Sequence, residues 1–312
     1  FCAMEVTSVG LTQDHLDYHG DLETYYRAKR ALFVPERTAL AVVNVDDPYG
    51  VRLVSELRDV PCVTCALDAE AGVRALDVTT GHAGSSFCLE GAVAGRALRQ
   101  PLRVRIPGRF NVANALGAAV AAAALGAPAG AITEGLAGLQ RIPGRFDLVE
   151  EGQDFAVVVD YAHTPDGLGR VLAAARDLTG PAGSRPRVIA VFGCGGDRDR
   201  TKRPLMGRAA AEHADVVFVT SDNPRSEAPE AIMAEIEAGI VQAPPRLGYH
   251  LVADREEAIE AAIAGARPGD VVVIAGKGHE TSQSFRDRVV DFDDARVAAA
   301  SLQRLADAGG SR

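Results

Sequence analysis

From residue 155 onward, short apolar runs alternate with longer stretches of helical spacing. The runs are "FAVVVD" (155–160), "RVIAVFG" (187–193), "DVVFVT" (215–220), "GYHLV" (248–252) and "DVVVIAG" (270–276). Most are continuously Val/Ile rather than alternating with polar residues, so both faces of each strand are buried. A parallel sheet covered by helices meets that demand. The helical spacings fall near 166–176, 203–213, 229–240, 255–265 and 293–306, between and after the runs. Upstream, "FCAMEVTS" has strand character, "LETYYRAKRALF" (22–33) has the spacing of an amphipathic helix, and "LAVVNV" (40–45) reads as a strand. Strand-like pieces and turns follow up to "LRVRI" (102–106). Two helices come next, "PGRFNVANALGAAVAAA" and "AGAITEGLAGL", interrupted at Gly126 and Pro128. The turn "RIPGRFD" (141–147) reads as a hinge between two domains. The fold class is α/β.

A chain of 312 residues is long enough for two domains. The net charge of −9 argues against a nucleic-acid partner, whose binder is usually basic. It leaves room for an acidic small molecule at a local cationic patch. No secretory signal opens the sequence. The most apolar-looking stretch, 115–132, is largely Ala and Gly and is broken by Pro128, too weak to span a membrane. Neither nucleic acid nor membrane is an expected partner. Five scattered cysteines, an odd number, fit a reducing, cytoplasmic location. "CVTC" (62–65) has redox spacing, but without a second pair or a following helix start it reads as part of a buried strand.

Every unusual polar cluster of the second half falls at the end of a strand: "DYAHTPD", "GCGGDRDRTKR", "SDNPRSE" and "GKGHE". In open parallel sheets ligands bind beyond the carboxyl ends of the strands, so these four form a binding rim. The glycines of 193–196 let backbone N–H groups approach a ligand. The cations that follow (Arg198, Arg200, Lys202, Arg203) favour phosphate or carboxylate, although a plain strand-to-helix turn has the same glycines. In "DNPR", Pro224 fixes the backbone, Arg225 offers a planar fork for a carboxylate, and Asp222 can accept from an ammonium. Together they suit an amino acid; the competing reading is an Asx turn with a solvated arginine. "GKGHE" lacks the spacing of a phosphate loop, and its Glu280 could read a second ammonium. Near the start, Asp14, His15, Asp17 and His19 are either a metal site or ordinary surface and capping residues. Lys29 reads as an exposed cation on its helix.

In order, "DHLDYHG…YYRAK", "PGRFNVANALGA", "PGRFDLV", "VVVDYAHTPD", "VFGCGGDRDRTKRPLM", "SDNPRSE" and "GKGHE" resemble the motifs of the Mur ligase family. These are ATP-dependent amide-bond-forming enzymes of bacterial peptidoglycan (cell-wall) synthesis. The resemblance spans nearly the whole chain and is strongest to the members that add the third amino acid. It implies part of the central ATP-binding domain over residues 1–143 and a Rossmann-like, amino-acid-binding C-terminal domain with a mainly parallel sheet over 144–312. It implies Glu5 and His15 as Mg²⁺ ligands, with Lys29 carbamylated as a third, and Ser8 as a contact to a UDP-linked muramoyl dipeptide. Asn111, Asn114, Arg145 and Asp160 fall at ATP positions. Arg198, Asp222, Asn223, Pro224, Arg225, Gly276 and Glu280 fall at positions for meso-diaminopimelate. The implied reaction activates the D-glutamate carboxylate of the dipeptide as an acyl phosphate, which the diaminopimelate amine then attacks. The sequence contains no G-x-x-x-x-G-K-[ST] loop and nothing like the family's UDP-binding domain, and the segment after Ser8 is short. The expectation is an N-terminally truncated member. An amino-acid-binding module without turnover, a lysine-adding relative and a folylpolyglutamate synthetase are the alternatives. Arg225 argues against the lysine-adding relative, and "DHLDYHG" with "DNPR" against the synthetase.

Overall fold

The computed structural model describes residues 6–7, 21–179, 186–243 and 245–309. The chain divides into two compact units, residues 1–140 and 141–312.

The first unit runs β1 (Val6–Thr7), α1 (Leu22–Arg30), β2 (Ala41–Asn44), α2 (Pro48–Glu56), β3 (Cys62–Ala66), β4 (Val73–Gly81), β5 (Gly84–Val93), β6 (Arg96–Val104), α3 (Arg109–Ala124) and α4 (Ala129–Gly138). One sheet takes the six strands in chain order. Pairing is parallel from β1 to β4 and antiparallel from β4 to β6. The change follows from the connections. Ala94 and Gly95, with φ of 49° and 76°, close a two-residue hairpin between β5 and β6. The sequence reads 48–56 as strand pieces and turns, whereas the structure forms α2 there. Asp47 caps it by accepting from the Tyr49 N–H at 2.8 Å, and Pro48 opens it. Val112, Leu116 and Val120 of α3 pack among Phe87, Leu89, Leu102 and Val104 of the sheet. Each such burial is worth about 1.5–3 kcal/mol. Cys65 lies buried on β3, and burial pushes its thiol up to about 12, so "CVTC" is strand core rather than a redox pair.

The second unit runs β7 (Asp147–Leu148), β8 (Ala156–Asp160), α5 (Pro165–Asp177), β9 (Val188–Phe192), α6 (Lys202–His213), β10 (Val216–Val219), α7 (Pro229–Ile240), β11 (Tyr249–Leu251), α8 (Arg255–Ala264), β12 (Val271–Ala275), β13 (Ser282–Ser284), β14 (Val289–Asp291) and α9 (Asp294–Gly309). Its main sheet has the order β11-β10-β9-β12-β8-β7, parallel except for the edge strand β7. Every residue of β9, β10 and β12 is buried, as continuous Val/Ile runs require. All five strands read from the sequence are present. The hairpin β13–β14 and the edge strand β7 are additions that three-residue and two-residue patterns are too short to signal. Because β12 inserts between β8 and β9, the carboxyl ends of β12, β9 and β10 lie side by side. Among the described residues no helix is long and apolar enough to cross a membrane.

Candidate functional site

Beyond β10 the chain continues through Ser221, Asp222, Asn223 and Pro224, all buried, to the half-buried Arg225. What anchors this turn lies beneath it. Arg255, at the start of α8, is fully buried and grips Asp294 with both arms of its fork, Nε to Oδ1 at 2.8 Å and Nη2 to Oδ2 at 2.7 Å. The same guanidinium donates to the carbonyl of Ser221 at 3.2 Å and to that of Ala275 at 3.1 Å. One cation thus ties together the carboxyl ends of β10 and β12.

On that base the polar side chains interlock. Lys277, fully buried, lies 3.2 Å from Asn223 Oδ1, 3.1 Å from Glu280 Oε2 and 4.0 Å from Asp222 Oδ1. Asn223 Nδ2 donates to Glu280 Oε2 at 2.9 Å, and Asn223 Oδ1 also accepts from the Ser284 N–H at 2.9 Å. Burial pushes the Asp222 carboxyl up, against the pull of Arg255 and Lys277. Burial acts the same way on Glu280, but the Asn223 hydrogen bond and the Lys277 charge outweigh it and hold that carboxyl below its usual range. Gly276 makes room for Asp222. Its φ is +116°, and a Cβ there would stand 2.9 Å from Asp222 Oδ2.

The glycine loop after β9 closes over Asn223 to Arg225. The Gly196 N–H donates to the Asn223 carbonyl at 2.9 Å, and a Cβ on Gly196 would stand 1.9 Å from the Pro224 carbonyl. Only glycine permits that approach. Arg225 sits at φ +51°, a strained conformation for a side-chain-bearing residue, pinned by its N–H to the Ser284 carbonyl at 3.0 Å. Its Nη1 donates to the Gly196 carbonyl at 2.7 Å. A Cβ on Gly195 would lie 2.9 Å from that Nη1 and 3.7 Å from Cγ of the exposed Arg198. Arg225 and Arg198 therefore flank one glycine, and Glu280 lies within the field of Arg225. The structure brings Arg198, Asp222, Asn223, Pro224, Arg225, Gly276 and Glu280 into one cluster.

The loop's other cations correct an expectation. Arg203 is fully buried and bound to Glu227 and Glu235, Arg200 pairs with Glu235, and Lys202 donates to the His163 carbonyl at 3.0 Å. These charges are engaged by the protein's own carboxylates and by a backbone carbonyl. Of the four, Arg198 alone meets no carboxylate or distant carbonyl among the described residues; it donates to its neighbour Asp197. The Arg203 hydrogen bonds hold Glu227 down at about 2, from an ordinary 4.5. A depressed carboxylate stabilises the fold above its unfolded value and loses that contribution as pH falls through the folded one. Between pH 5.5 and 2.5 the melting temperature of the unsubstituted protein will therefore fall further than that of Glu227→Gln; parallel falls in differential scanning calorimetry would refute the pairing.

Asp160, at the end of β8, accepts from the N–H of Phe146 (2.7 Å) and of Ala162 (2.8 Å), so both its oxygens hold backbone. Burial pushes its carboxyl up while those hydrogen bonds oppose the rise. Arg145, exposed, lies 4.8 Å over the Tyr161 ring, which also meets His163 and His279 at centroid distances of 4.6 and 5.4 Å. In the first unit, Asn111 is buried with Nδ2 donating to the Pro107 carbonyl at 2.8 Å, and Asn114 is exposed on the same helix. Lys29 is half-buried on α1, its Nζ 4.9 Å from the Tyr25 ring centroid. Glu5, Ser8, His15 and the other residues of "DHLDYH" lie outside the described residues. Among the described residues no three His, Cys, Asp or Glu converge as metal ligands. Sequence reasoning missed Lys277, Arg255 and Asp294. The only signal for Lys277 was its place between two glycines, both of which take positive φ.

Comparison with known proteins agrees with the motif order. Residues 6–122 match the family model described as Mur ligase middle domain, and residues 144–278 that described as Mur ligase, glutamate ligase domain. The UDP-N-acetylmuramoyl-L-alanyl-D-glutamate--2,6-diaminopimelate ligase of Syntrophomonas wolfei is 45% identical over 296 residues, 94% of this chain and 58% of the relative. The protein of the same name from Gloeobacter violaceus is 47% identical over 296 residues, with the same coverage of 94% and 58%. A solved structure of a UDP-N-acetylmuramoyl-L-alanyl-D-glutamate--2,6-diaminopimelate ligase superposes with a TM-score of 0.58 at 36% identity, covering 94% of this chain and 59% of that one. The chain thus spans about three-fifths of the length of the curated relatives it matches.

Proposed function

Because the chain belongs to the Mur ligase family, we propose that its two units serve the ATP-dependent joining of meso-diaminopimelate to UDP-N-acetylmuramoyl-L-alanyl-D-glutamate in the cytoplasm, a step of peptidoglycan synthesis. The observation that carries this reading is the opposition of charge in one cluster: Arg225 and Arg198 beside Gly195, Asp222 and Glu280 around Lys277. Such a pocket suits a ligand with a carboxylate at one end and an ammonium near the other. L-Lysine, which lacks the second carboxylate, would leave Arg225 without an anionic partner.

In the reaction the dipeptide's D-glutamate carboxylate takes the γ-phosphoryl group of ATP, giving an acyl phosphate and ADP. The diaminopimelate amine attacks the acyl carbon, phosphate leaves, and an amide bond remains. Asn111, Asn114, Arg145 and Asp160 are the proposed ATP contacts, with Ser8 on the dipeptide. Glu5, His15 and Lys29 would hold Mg²⁺, which when bound neutralises charge on the transferring phosphoryl group. Lys29 fits that role only as its carbamate, since a bare ammonium repels a cation.

Calorimetric titration of this chain with meso-diaminopimelate and with L-lysine tests the reading. Diaminopimelate is expected to bind at least about thirtyfold more tightly, since an unmatched charge in a partly desolvated pair costs about 2–5 kcal/mol. Equal affinities would overturn it.

A further inference from the structure

Lysine is almost never fully buried unless it is paired. Lys277 is, and it lies between Gly276 and Gly278, whose φ values of +116° and +54° turn the backbone so that the side chain points inward beneath the pocket. We propose that Lys277 is the positioning residue of this pocket: it orients the Asn223 amide and occupies one oxygen of Glu280, so that the other oxygen alone meets the ammonium of the ligand. The proposal rests on the amino-acid-binding reading above.

The geometry runs through two hydrogen bonds. Asn223 Oδ1 faces Lys277 Nζ and the Ser284 N–H, both donors only. The amide cannot flip without setting its own NH₂ against them, so Nδ2 faces Glu280. Glu280 Oε2 then accepts from Asn223 Nδ2 and from Lys277 Nζ. Oε1 accepts from no described residue, and the side chain is 36% exposed. The charges lead to the same result. Asp222 and Glu280 each raise the energy of the other's ionised form, and the Lys277 ammonium sits against both. Without it, the pair would hold a proton more readily, and the site would favour a cation less.

Two readouts test this, one with ligand and one without. In the unsubstituted chain, calorimetry should give meso-diaminopimelate at least tenfold tighter binding than 2-aminopimelate, which lacks one ammonium. In Lys277→Met and Lys277→Gln that preference should shrink to threefold or less. In parallel, ¹³C NMR of Glu-labelled protein should find Glu280 titrating below the usual carboxylate range, and higher in both variants. An unchanged preference together with an unchanged Glu280 titration would overturn the proposal. If Glu280 moves as expected while neither compound binds the unsubstituted chain, the positioning role stands and the substrate reading falls. Should neither variant fold, ¹⁵N-lysine NMR of the unsubstituted protein decides. The Lys277 resonance should shift as Glu280 protonates, and a resonance indifferent to acid would refute the contact.

Discussion

Arg255→Met will lower the stability of the C-terminal unit by about 3–5 kcal/mol, the cost of leaving one partner of a buried ion pair uncompensated. For a unit of this size that corresponds to a fall in melting temperature of roughly 6–20 °C. Asp294 is fully buried and would be left with no cation against it. Its pairing with Arg255 is also what joins the ends of β10 and β12, through the carbonyls of Ser221 and Ala275. The double substitution Arg255→Met with Asp294→Leu separates these roles. Replacing both charges with apolar groups should recover much of the stability, because a buried pair is often worth no more than well-packed hydrophobic residues. On the proposed function it should not restore diaminopimelate affinity, because the carbonyls of Ser221 and Ala275 remain without their donor. A single-variant melting temperature within about 2 °C of the parent would refute the anchoring role.

On the proposed function, Arg225→Ala will weaken meso-diaminopimelate binding by about 30- to several-thousandfold, the range for truncating one partner of a buried, hydrogen-bonded charge pair. L-Lysine binding should not weaken and should tighten, since the substitution removes the cation that lysine leaves unmatched. The contrast matters because Arg225 also has a structural duty, donating to the Gly196 carbonyl. If that duty dominated, both ligands would weaken together. Arg225→Lys is a further control. It keeps the charge but loses the fork, and should recover only part of the affinity. Calorimetric titrations of both ligands against the parent and both variants check this, and an Arg225→Ala chain that binds diaminopimelate normally would refute the role.

Much of this site can be read along the chain because its residues are local. Asp222, Asn223, Pro224 and Arg225 are consecutive, and the strand ahead of them announces itself by an unbroken Val and Phe run. The glycines at 193, 195 and 196 mark a close backbone approach, and the structure shows which neighbour each one admits. The charges were read less well. Four cations in six positions look like an anion cradle, yet Arg203 and Arg200 are taken by Glu227 and Glu235, which lie 24 to 35 residues further on. Nothing in the local spacing of "RDRTKR" reveals that. Helix α2 is illegible for the opposite reason: Asp47 caps it and Pro48 opens it, but nine residues are too few for periodicity to outweigh the strand character around them.

The sequence by itself determined the two-unit α/β architecture, the parallel run of buried strands, the polar rim at their carboxyl ends and the identity of its Asp222, Arg225 and Glu280. Those features depend on residue type and on neighbours a few positions away. Only the tertiary structure decided which charges meet an opposite charge from a distant segment and which do not. Arg255 meets Asp294 across 39 residues of chain and Lys277 meets Asn223 across 54. A charge becomes a support or a ligand contact according to whether an opposite charge is folded against it away from water, and burial of that kind depends on packing between distant segments.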